Sequence, residues 1–215
     1  MTRIKTALLA LSAVTAFAVP VALAALPPAA AWEIGPWVRG RNYSVGMPAS
    51  PSQTRDGGLA FDFPVAGRGQ IDAMTTASGP LAGARQITLR YRIDARRGTR
   101  FIADDYPNEP GTVSVYFQRR GDNWSGQGRY QSYRWYSPAR TVIPLAPGVQ
   151  TVTMRLDETW INVFGKTNSE QSAGFASALV DTARIGLAFG SSSARSHGVY
   201  ASAPARFTLL SLEIE

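Results

Sequence analysis

Apolar and polar residues alternate with a period of two along most of this chain. Leu59, Phe61 and Phe63 alternate with Ala60 and Asp62, and Val113, Val115 and Phe117 alternate with Ser114, Tyr116 and Gln118. Ile87, Leu89, Tyr91 and Ile93 alternate with Thr88, Arg90, Arg92 and Asp94, the cleanest run of all. Val152, Met154 and Leu156, then Ile185, Leu187 and Phe189, and finally Leu210, Leu212 and Ile214 repeat the pattern. Alternation of this kind puts one side of a strand on a core and the other in water. Strands of a parallel sheet, covered on both faces, would read as unbroken apolar runs. Segments 70–76, 99–103, 130–136, 140–145 and 159–164 are predicted as further strands.

Gly and Pro punctuate the gaps, at Gly57-Gly58, Gly79-Pro80, Gly98, Pro107 to Gly111, Gly121, Pro147-Gly148 and Gly165. About ten short strands at this spacing predict an all-β, two-sheet antiparallel sandwich of jelly-roll type. One stretch alone reads as helix, over 172–181, with Ser172 as its cap and Phe175 and Leu179 four apart on one side. The Pro- and Ser-rich segment Gly46 to Gly58 reads as a long surface loop. There is no internal repeat and no linker, so residues 32–215 form a single domain.

The start of the chain changes where that domain works. Arg3 and Lys5 precede an apolar run from Ala7 to Ala25 and a small-residue stretch ending at Ala31. A positive head, an apolar middle and an Ala-x-Ala exit describe a secretory signal peptide over 1–31, cleaved after Ala24 or after Ala31. Pro20 within the run argues against an uncleaved anchor, and no later stretch is long enough to span a bilayer. The remaining chain is expected in the periplasm or outside the cell. It has no cysteine, so packing and hydrogen bonds must hold it without disulfides.

The formal charge is +7, and the signal segment holds Arg3 and Lys5, leaving +5. Only Lys5 and Lys166 are lysine among 22 basic residues, the rest being arginine. A GC-rich genome accounts for that bias, as does recognition of acidic groups by planar guanidinium. The arginines are spread along the sequence, which speaks against a nucleic-acid footprint, and export speaks against it further.

Arg119 to Pro138 carries the strongest candidate chemistry. Trp124, Tyr130, Tyr133, Trp135 and Tyr136 interleave there with Asp122, Asn123, Gln127, Arg129, Gln131 and Arg134. Sugars present apolar C–H faces ringed by hydroxyls, so a site for them needs flat rings to stack on and planar polar groups to orient. Trp124, Tyr130, Trp135 and Tyr136 are the candidate stacking rings, with Asp122, Asn123, Arg129 and Arg134 orienting. Tyr133 and Trp135 share one face of their strand and Arg134 and Tyr136 the other. Either pair, or all of these rings, also suits a sandwich core, since strands favour aromatics.

Two smaller features remain. Asp104, Asp105, Asn108 and Glu109 crowd one turn, and hard oxygen donors at that density suit a structural Ca²⁺, although acidic turns also simply face water. His197 is the only histidine and a candidate general base, or a merely structural residue. Motifs for zinc hydrolysis, a serine nucleophile elbow or a phosphate-cradling loop are absent.

Four stretches, Gly58 to Pro64, Ile87 to Ile93, Trp160 to Gly165, and Arg184 to Gly190 followed by His197 to Tyr200, resemble the galactose-binding-like β-sandwiches. These are found among non-catalytic carbohydrate-binding modules of exported bacterial proteins. The resemblance implies glycan recognition by aromatic and polar residues, often beside a structural Ca²⁺, with no other cofactor and no covalent step. A second reading is a jelly-roll polysaccharide lyase, in which His197 and Tyr200 supply acid and base while Arg134 and Gln131 neutralise a uronate carboxylate. A third is a surface or assembly protein that binds another protein.

Overall fold

The computed structural model describes residues 25–139 and 143–215. Two antiparallel sheets pack face to face, with one α-helix, Ser172–Val180, at the side. The back sheet has five strands in the order Gly148–Arg155, Gln86–Ala95, Ala205–Ile214, Leu59–Asp62 and Ser52–Gln53. The front sheet runs Trp32–Gly35, Ala73–Ala77, Thr182–Gly190, Thr112–Arg119, Arg134–Ser137, Ile161–Asn162, with Ile143–Pro144 also paired to Thr112–Arg119. The chain crosses between the sheets repeatedly, from Leu59–Asp62 in the back to Ala73–Ala77 in the front, then to Gln86–Ala95 and on to Thr112–Arg119, which gives the expected antiparallel sandwich. A hairpin, Trp37–Val38 with Arg41–Asn42, and a two-stranded pair distant in sequence, Phe101–Ala103 with Val199–Ala201, complete it. No helix among the described residues is long and apolar enough to cross a membrane.

Most of the alternating positions build the core as expected; the last strand departs, because Phe207 and Leu209 face the core while Leu210 and Leu212 are half-buried and Ile214 is exposed, past a register shift between Leu209 and Ser211. Ile87, Leu89, Tyr91 and Ile93 of the back sheet face Val113, Val115, Phe117, Leu187 and Phe189 of the front, all fully enclosed. Phe207 stacks between Phe61 and Tyr91, and Phe189 meets it edge-on, so aromatic packing fills the centre. The helix starts at Ser172, but the side chain of Ser172 makes no capping bond and the cap position falls to Gln171. Phe175 on its inner side packs against Phe117, Trp135 and Trp160.

Two departures from simple alternation matter. The segment expected as a strand over 130–136 begins as a 3₁₀ turn, Gly128–Ser132, and only Arg134–Ser137 pairs in the sheet. Gly126 and Gly128, both at positive φ, turn the chain away from the sheet before that point. In Thr112–Arg119, moreover, Ser114, Tyr116 and Gln118 are as buried as Val113, Val115 and Phe117. The outer side of the front sheet is therefore roofed. The hairpin at 37–42 and the loops at 121–126 and 191–198 rise around it and enclose a cleft.

Candidate functional site

The cleft occupies about 1080 Å³ on the outer side of the front sheet. That volume stands just above the usual range for small-molecule and cofactor pockets. Its floor is a second, small hydrophobic cluster of Ala73, Tyr116, Tyr136 and Ala188, separate from the main core. Tyr116 and Tyr136 stack at 5.8 Å between ring centres, and the Tyr116 hydroxyl bonds to Thr75. Burial pushes the Tyr116 hydroxyl above its ordinary pKa, with the bond to Thr75 opposing, and it does the same to Tyr136, with Arg134 opposing. Both hydroxyls stay protonated and available as donors.

One wall is a polar knot centred on Asp122. Its Oδ2 accepts from Arg134 Nη1 at 2.9 Å and from Gln118 Nε2 at 2.7 Å, and its Oδ1 accepts from the Trp124 backbone N–H at 3.3 Å. The Arg134 and Asp122 side chains are only 5% and 2% exposed, so this ion pair works out of water. Arg134 also donates to the Tyr136 hydroxyl at 3.2 Å and lies 4.2 Å from the centre of the Trp124 ring. The knot thus fixes Trp124 between a guanidinium and the edge of Tyr116. Asn123, exposed beside it, ties down the loop by accepting from Ser125.

The opposite wall comes from the hairpin that follows the first strand. Trp37 and Tyr43 line the cleft and are 47% and 42% exposed, with Arg41 packed over the Tyr43 ring. Arg39 lies at the hairpin tip, on the cleft rim.

The third side is acidic. Asp72, Asp104, Asp105 and His197 converge there, with His197 Nδ1 bonded to Asp105 Oδ2 at 2.7 Å. Gly198 makes that convergence possible, since it sits at φ +90° and a Cβ there would lie 2.4 Å from Gln70 Cγ and 3.2 Å from Asp104 Cβ. Asp72 is 5% exposed and its Oδ1 has no hydrogen-bond partner among the described residues. Burial, with Asp104 and Asp105 adding like charge, pushes its carboxyl up to about 8. Asp72 is therefore a neutral acid at pH 7, able to donate.

Two independent features single out this cleft. The described non-glycine residues with left-handed backbone are Arg39, Trp124 and Ser196, and all three line it. Strain of this kind gathers at sites that bind or react. Three buried polar atoms without partners among the described residues also belong to cleft-lining side chains: Asp72 Oδ1, Gln118 Oε1 and Arg195 Nε. Unpaired buried polar atoms are rare in native proteins.

Of the eight residues expected to bind, Trp124, Tyr136, Asp122, Asn123 and Arg134 come together in the cleft. Trp135 does not. It faces the main core, wholly enclosed, with its Nε1 donating to the Ser132 carbonyl at 2.9 Å. Its neighbours Arg134 and Tyr136 take the outer side because alternation leaves that side to them. Tyr130 and Arg129 are carried off on the 3₁₀ turn, where they pack on one another outside the cleft. The set expected for a lyase is not assembled either: His197 and Arg134 line the cleft, whereas Tyr200 and Gln131 lie outside it. The expected calcium ligands separate as well. Asp105 is turned to His197, and Glu109 is held by the Ser192 and Ser193 hydroxyls and the Ser193 N–H. Asn108 is exposed, and among the described residues no three acidic or histidine side chains are placed to share a metal ion.

Sequence reasoning missed Trp37, Tyr43, Asp72 and Arg195. A signal existed for the first two, because Trp37, Arg39, Arg41 and Tyr43 alternate rings and guanidinium groups around Gly40. Asp72 and Arg195 carried none.

No protein-family model matches the chain, and no curated protein matches it by sequence. Among solved structures it is similar to a xylan-binding module CBM15, at 10% identity over 86% of this chain and 95% of that one, with a TM-score of 0.41. It is also similar to a chain described as "Prominent members of the human gut microbiota express endo-acting O-glycanases to initiate mucin breakdown", at 10% identity over 89% and 94% of the two chains, with a TM-score of 0.40. At such scores the likeness is one of sandwich layout, and no ligand follows from it.

Proposed function

We propose that this is an exported carbohydrate-binding domain, which holds a glycan in the front-sheet cleft by stacking and hydrogen bonding with no covalent step. The observation that carries the reading is the lining of the cleft. Trp37 and Trp124 offer partly exposed rings on opposite walls, and between them lie the guanidinium, carboxamide, carboxyl and phenol groups of Arg134, Asn123, Gln118, Asp72 and Tyr136. Flat apolar surface beside planar hydrogen-bonding groups is what a sugar ring requires. Residues 1–24 lie outside the described residues, and we place signal cleavage after Ala24. Support comes from Leu26 and Ala29, which pack on the core, and from the Ala31 carbonyl, which accepts from Thr76 at 2.9 Å. A glycan array on the purified domain tests the function. Binding should fall at least tenfold in Trp37→Ala and in Trp124→Ala with unfolding temperature little changed; full binding in both variants would refute the site.

A further inference from the structure

We infer that the glycan is acidic, and that Arg195 is the residue on which its carboxylate rests; this builds on the glycan-binding reading of the cleft. The remaining cleft arginines sort into two groups. Arg134, Arg184 and Arg119 meet the carboxylates of Asp122, Glu33 and Asp181, at 2.9, 3.3 and 3.1 Å. Arg39 and Arg41 belong to the hairpin rim, in water, where an unpaired charge costs little. Arg195 fits neither group. It is half-buried, and none of the chain's 15 Asp and Glu residues, all of which are described, forms an ion pair with it.

Its geometry is nevertheless fixed. Nη1 donates to Ser114 Oγ and Nη2 donates to the Ala139 carbonyl at 3.2 Å. Both partners are neutral, so among the described residues two of the five donors are used, and no carboxylate compensates the charge. Burial accordingly draws the Arg195 pKa below its ordinary value, with Tyr136 opposing. A guanidinium half withdrawn from water without a counter-charge carries part of the desolvation cost, and a carboxylate arriving beside it would relieve it. The flat fork of arginine matches the flat carboxylate of a uronic acid. Tyr136, next to it on the floor, offers a ring to the sugar that bears the carboxylate.

The test compares each acidic polymer with the same backbone after its carboxylates have been reduced to hydroxymethyl groups. Polygalacturonate, alginate and hyaluronan would each be titrated by calorimetry in native and carboxyl-reduced form, beside carrageenan, which carries sulfate and no carboxylate, and neutral xylan and galactan. The inference requires that at least one native uronate polymer binds, and that carboxyl reduction weakens it by ten- to a hundredfold. Arg195→Gln should produce a comparable loss on the native polymer and leave the reduced polymer unaffected, and Arg195→Lys should fall between. Should Arg195→Gln fail to fold, the native-to-reduced ratio in the wild type and in Arg195→Lys still decides. Equal binding of native and reduced polymers, binding of xylan or galactan alone, or binding of carrageenan alone would overturn the inference while leaving glycan binding intact. Binding of no polymer would overturn both.

Discussion

Replacing Asp72 with asparagine isolates the most unusual titration in the molecule. In the folded chain this carboxyl is pushed from 3.8 up to about 8, first by burial and then by Asp104 and Asp105. The unfolded chain releases the proton near pH 4, whereas the folded chain keeps it until about pH 8. Over that interval the native state binds more protons, so wild-type stability must fall as pH rises. The slope is about 1.4 kcal/mol per pH unit, which accumulates to on the order of 5 kcal/mol between pH 4 and 8. Asparagine has nearly the same shape and does not titrate. Its amide leaves the same atoms without partners, a cost that does not vary with pH. Urea unfolding of both proteins from pH 4 to 9 would measure this. The stability difference should move steadily in favour of Asp72→Asn up to about pH 8 and then level off. A difference that stays constant across the range would refute the reasoning, because it would mean that Asp72 titrates alike in both states. In the glycan reading the same proton lets Asp72 donate to a sugar hydroxyl, so wild-type affinity should decline above pH 8.

Other consequences follow from the same geometry. Trp135→Ala should destabilise the domain by about 3–5 kcal/mol in urea unfolding, as expected for an enclosed indole, yet at temperatures where it folds it should bind as the wild type does. Asp122→Ala strands the buried Arg134 charge and should cost about 3–5 kcal/mol, whereas the double variant Asp122→Ala with Arg134→Met should recover part of that stability. The Glu109 carboxyl is held down to about 2 by the Ser193 and Ser192 hydroxyls. The loop at 191–193 should therefore stay protected above pH 4 and loosen as pH falls toward 2, and Glu109→Ala should show fast amide exchange there at neutral pH.

Period-two alternation made the sandwich legible because each strand has one side that must be dry. It also located the core residues of Ile87–Ile93 and of Val113, Val115 and Phe117 correctly. The same rule failed at the front sheet, where the side expected in water is covered by loops from elsewhere in the chain. Local pattern could not register that cover, nor which of Arg134 and Trp135 faced inward. The arginines were harder still. They are dispersed in sequence, yet six of the 20 line one cleft, brought together by sheet topology and by two loops. The acid end was illegible for a related reason, as Asp72 and His197 lie far apart in sequence and become neighbours through the register of Ile71 against Val199.

The five tryptophans offer the most direct test of the cleft as the binding site. Trp32, Trp135 and Trp160 are enclosed, while Trp37 and Trp124 stand on opposite walls of the cleft. Indole N–H resonances in a ¹H–¹⁵N spectrum, assigned by single substitution, would be followed as an oligosaccharide that the domain binds is added. Shifts concentrated in Trp37 and Trp124, with the other three unmoved, are the predicted result. Saturable binding that leaves both of these signals in place would contradict the account.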